Sequence, residues 1–112
     1  MDIENKLIKG NKLFLDLLSH DPEKKETCKN LSCGQHPYAL VITCSDSRVS
    51  PETIFSSFLG ELFVIRTAGN VINEGELATV EYAIEHLKIQ YILVQHNADD
   101  PADGRSTGRA LR

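Results

Sequence analysis

The chain has 112 residues, a formal net charge of −4 and 25% charged residues. Its 41% hydrophobic content excludes intrinsic disorder, a collagen-like repeat and a supercharged tail protein. A single domain is expected, one that buries about two thirds of its unfolded surface. The acidic balance argues against a nucleic-acid partner, because phosphate binding needs concentrated Lys and Arg. No apolar run approaches the roughly 20 residues of a membrane span. The opening Met1-Asp2-Ile3-Glu4-Asn5 lacks the basic start and apolar core of a signal peptide, so a cytoplasmic protein is expected.

Residues 3–18 place Ile3, Leu7, Phe14 and Leu18 at helical spacing, interrupted by Gly10. From Ser19 to Pro37 the chain turns polar and reads as a loop. Tyr38-Ala39-Leu40-Val41-Ile42-Thr43 is an apolar run ending at Cys44, and Pro51 is suited to open a short helix after it. Two more runs follow, Leu62-Phe63-Val64-Ile65 and Tyr91-Ile92-Leu93-Val94. None of the three alternates polar with apolar residues, which predicts strands covered on both faces, as in a parallel sheet. Between the last two, Asn73 with Glu76 resembles a capping box, and Leu77, Val80, Ile84 and Leu87 repeat at helical steps. The order predicts an α/β fold with a parallel-core sheet flanked by helices. From Asn97 to Arg112 periodicity disappears, Lys and Ile vanish and Arg105, Arg109 and Arg112 follow.

Functional groups of open parallel sheets gather beyond the carboxyl ends of the strands. Cys44 follows the first run and His96 lies just past the third. If those strands are neighbours, about 4.8 Å apart, a thiolate and an imidazole can share one zinc-like ion. Taken singly, Cys44 reads as a small buried hydrophobe and His96 as a solvated strand-end histidine; it is their matching topology that raises the metal reading. Asp46 and Arg48 can form a bidentate ion pair, or Asp46 can simply bond its own turn. Cys28, Cys33 and His36 offer three donors in the loop without a fourth nearby, which favours free thiols. No G-x-G-x-x-G fingerprint occurs.

The blocks Gly34-Gln35-His36-Pro37, Ala39 to Val49 with its Cys44-Ser45-Asp46-Ser47-Arg48, Gly60 to Asn70, and Glu81 to Leu87 closely resemble the β-class carbonic anhydrases. Leu7, Gly10, Asn11 and Phe14 fit the same family's first helix. The resemblance covers residues 1–96 and leaves 97–112 as a non-matching polar tail, expected to be disordered. It implies an incomplete domain of that family, acting as a homodimer or larger oligomer through the first helix. It further implies a zinc lyase that interconverts carbon dioxide and bicarbonate. Cys44 and His96 match zinc ligands, and Asp46 with Arg48 matches a dyad whose aspartate either caps the metal or serves as an acceptor beside it. Gln35 matches a glutamine that orients substrate, often across the subunit interface.

The family's Gly-His-x-x-Cys-Gly run reads Gln95-His96-Asn97-Ala98-Asp99-Asp100 in this chain. Asp99 therefore stands where a cysteine ligand is expected, and carboxylate oxygen is an accepted zinc donor. The abrupt change in residue usage suggests a shifted reading frame or truncated gene after Val94. Two functions follow as expectations: zinc-dependent carbon dioxide hydration, or an inactive remnant that associates with full-length relatives.

Overall fold

A computed structural model describes residues 2–96 and 107–111, and the chain falls into two compact units, Met1–Gly34 and Gln35–Arg112. The first unit holds two helices, α1 (Ile3–Ser19) and α2 (Pro22–Leu31). Asp2 caps α1, its Oδ1 accepting from the Asn5 N–H at 2.8 Å. No residue of α1 is buried, and Ile3, Leu7 and Leu17 are 72%, 70% and 62% exposed.

Helix α2 corrects the expected loop over 19–37. Asp21 caps it, accepting from the Lys24 N–H at 3.0 Å, and Pro22 supplies a pre-set φ at its start. Its residues are polar almost all round, so no apolar period announced it. The Asp-Pro start and the Glu and Lys that follow were the available signal.

The second unit is built on a sheet in the order β2-β1-β3-β4, with β1 (Ala39–Cys44), β2 (Leu62–Thr67), β3 (Ile92–His96) and β4 (Thr107–Leu111). Strand β1 pairs in parallel with β2, from Ala39 opposite Leu62 to Cys44 opposite Thr67. It pairs in parallel with β3 on its other side, from Leu40 opposite Ile92 to Ile42 opposite Val94. The three apolar runs are thus the three parallel strands, and β1 lies at their centre. Ala39 to Thr43 are all buried, as a strand covered on both faces requires.

Short helix α3 (Pro51–Ile54) opens at Pro51, a 3-10 turn (Ala68–Asn70) follows β2, and α4 (Glu74–Glu85) leads towards β3. The Glu76 carboxylate accepts from the Asn73 N–H at 3.1 Å, the return bond of a capping box. Leu40, Ile42, Ile65, Ala83 and Ile89 form the core, joined by Phe63, Val80, Leu87, Ile92 and Val94. Leu77 and Ile84, expected inside, are 51% and 45% exposed. The row facing the sheet is Val80, Ala83 and Leu87, because fully buried Ala83 lets the helix approach closely.

Strand β4 falls within the segment expected to be disordered. It runs antiparallel to β3, with Ile92 opposite Leu111 and His96 opposite Thr107. Main-chain bonding along an otherwise open edge needs no apolar period, which is why the sequence did not signal it. Positions 97–106 and 112 lie outside the described residues. Among the described residues, no helix is long and apolar enough to cross a membrane.

Candidate active site

The carboxyl end of β1 delivers Cys44 into a tight turn. The Asp46 N–H donates to Cys44 Sγ at 3.4 Å, and the Ser45 N–H gives a last bond to the Thr67 carbonyl at 2.8 Å. Asp46 then accepts from Arg48 several times: from the Arg48 backbone N–H at 2.9 Å, from Nε at 3.0 Å and from Nη2 at 2.6 Å. The guanidinium grips both carboxylate oxygens, the geometry of a fork on a fork. That side-chain bond, then the Arg48 backbone N–H, holds the Asp46 carboxyl from its ordinary 3.8 down to about 2 against the opposing effect of desolvation. The same bond raises the Arg48 pKa in turn. Both readings of Asp46 hold together: it bonds its own turn and it pairs with Arg48.

Arg66, on β2, reaches the same turn. Its Nε donates to the Cys44 carbonyl at 3.1 Å and its Nη2 to the Asp46 carbonyl at 2.7 Å. Asn70, in the left-handed region at φ 65°, donates through Nδ2 to the Gln95 carbonyl at 2.8 Å. Arg66 and Asn70 both lie in the Gly60 to Asn70 block, where the sequence alone marks neither as a site residue. Thr43, Thr67, Asn70 and Gln95 each keep buried hydroxyl or amide atoms without a hydrogen-bond partner at this end of the sheet. Gln95 and Thr43 are fully buried.

His96 ends β3. Since Ile42 pairs with Val94, two further steps along the adjacent strands reach Cys44 and His96. As residue types, a thiolate and an imidazole suit zinc better than magnesium or calcium. Among the described residues no group of three His, Cys, Asp or Glu donors converges. Asp99 lies outside the described residues. Gln35 is exposed in the stretch leading into the amino end of β1, so the cluster at the other end is built without it. Among the described residues, Cys28 and Cys33 form no disulfide.

Residues 39–97 match the family model described as carbonic anhydrase. The carbonic anhydrase of Synechococcus elongatus is 46% identical over 95 residues, covering 80% of this chain. The chain belongs to the β-class carbonic anhydrase family. The solved β-carbonic anhydrase CcaA superposes with a TM-score of 0.74 at 43% identity, covering 81% of this chain and 46% of that one. A structure from a study of two tetrameric β-carbonic anhydrases of Sordaria macrospora gives 0.74 at 30% identity, covering 80% and 46%. This β-class chain spans about a third of the length of the Synechococcus relative, 34%.

Proposed function

We propose that this chain interconverts carbon dioxide and bicarbonate at a zinc site held by Cys44 and His96. What supports the reading is the register, which sets both residues two steps beyond the Ile42–Val94 pair on neighbouring parallel strands. Zinc would supply hydroxide at neutral pH by lowering the pKa of its water from about 15.7 to about 7. Asp46 is the acceptor beside the metal and Arg48 its anchor. A carboxylate already engaged by Arg48 through Nε and Nη2 would have to release those bonds to cap the ion, so the open arrangement is favoured. Asp99 is then the third protein donor. Gln35 orients substrate from a neighbouring copy, and α1, with its exposed apolar side chains, joins the copies into a homodimer or larger oligomer. The cytoplasm is the proposed compartment.

The test is metal content and carbon dioxide hydration of the purified chain. About one zinc per subunit with hydration above background supports the reading, and Cys44→Ser should then lose the metal. Zinc retained after that substitution defeats the assignment. A second reading, an inactive form that associates with full-length relatives, is favoured by Asp99 standing where the family's second cysteine ligand is expected. Its signature is a chain that holds no zinc and does not hydrate carbon dioxide.

A further inference from the structure

We infer that Arg66 is a positioning residue that fixes the turn carrying Cys44 and Asp46 by clamping two of its carbonyl oxygens at once. The inference deepens the zinc reading and rests on it for its functional consequence. Its structural part stands without metal.

Strand pairing with β2 stops just where the turn begins. Cys44 is the last residue of β1, and the Ser45 N–H to Thr67 carbonyl bond at 2.8 Å is the final rung to β2. Past that rung the turn is held within itself by the Asp46 N–H to Cys44 Sγ and Arg48 to Asp46 bonds. Those bonds shape the turn but do not tie Asp46 to the sheet. Arg66 supplies the tie. Paired opposite Thr43 in the β1–β2 register, it extends its guanidinium over the strand end. Nε takes the Cys44 carbonyl at 3.1 Å and Nη2 takes the Asp46 carbonyl at 2.7 Å.

The chemistry of the side chain matters here. A guanidinium presents its N–H groups in a rigid planar fork, so one group can meet two acceptors in fixed relative positions. A lysine ammonium carries the same charge on a flexible stem without that fork. Loss of the fork frees the turn to shift, and with it the sulfur and the carboxylate. Removing a partner that orients metal ligands typically lowers metal affinity about 10–100-fold. Arg66 is exposed, so replacing it leaves the core intact.

Arg66→Gln and Arg66→Lys are compared with the parent chain in a Cys28→Ser, Cys33→Ser background. In the metal-free chains, exchange of the Asp46 and Arg48 amide hydrogens should quicken about tenfold or more in both variants. Exchange at Leu40 and Ile42 should stay unchanged. Cobalt(II), followed by its thiolate absorption, should bind about 10–100-fold more weakly to both. Unchanged exchange in Arg66→Gln, or full restoration by Arg66→Lys, overturns the clamp. If the parent chain takes no cobalt, the zinc reading fails and the exchange data alone decide the role of Arg66. If cobalt binds the parent and both variants alike, the turn does not depend on Arg66 and the inference falls.

Discussion

Asp46 and Arg48 stand two residues apart, yet they bond through both backbone and side chain. The spacing was readable because a turn brings such neighbours together whatever the rest of the chain does. The bond has a measurable consequence for titration. The folded carboxyl sits at about 2, below its ordinary 3.8. A depressed acid contributes stability in full above the ordinary value and loses it as pH falls towards the folded one. In the metal-free chain, the Asp46 carboxyl carbon resonance should therefore titrate with a midpoint near 2. Arg48→Gln should move that midpoint back towards 3.8, since the leading cause is gone. A midpoint unmoved by that change would show that another group holds the carboxylate. Arg66 was unreadable by the same standard. Twenty residues separate it from Asp46, and only the β1–β2 register brings its guanidinium to the turn.

At the scale of elements, the strands were legible and one helix was not. Runs such as Leu40-Val41-Ile42 point to a strand with both faces covered, while the strand order, with β1 the central one of the three parallel strands, comes from the structure alone. Helix α4 was legible in place but only partly in rotation. The large apolar residues drew a row through Leu77, Val80, Ile84 and Leu87, of which Val80 and Leu87 do pack on the core, whereas Leu77 and Ile84 are exposed and small Ala83 completes the contact line. Periodicity counts apolar groups and cannot tell a close-approach alanine from an exposed one. Substitution separates the two faces. Ala83→Leu should overpack the contact and cost about 1–3 kcal/mol in urea unfolding. Leu77→Ala, on the exposed side, should stay within about 0.5 kcal/mol. Equal losses at both positions would contradict the rotation described for α4. Helix α2 offers a parallel check, because Asp21→Ala removes the cap on the Lys24 N–H. That loss should cost about 1 kcal/mol, seen as reduced helical circular dichroism and a lower Tm.

At the scale of the molecule, α1 poses the question that neither sequence pattern nor strand register answers. Ile3, Leu7, Phe14 and Leu17 fall on one side of the helix, and each is exposed. A continuous apolar stripe on an exposed helix marks a surface that another protein covers. The sequence displayed the stripe plainly, but periodicity reports only that a face is apolar, not what lies against it. The proposed cover is a second copy of this chain, and the prediction follows from replacing apolar area by charge. Leu7→Lys with Phe14→Lys should lower the mass seen by sedimentation from a dimer or larger assembly to a single chain. The core around Leu40 and Ile42 lies in the second unit, so amide protection there should survive the change. If Gln35 orients substrate from a neighbouring copy, hydration should fall in the dissociated chain while bound zinc remains. A mass unchanged by both lysines would remove α1 from the interface, and the proposed role of Gln35 would then need another surface to bring the copies together.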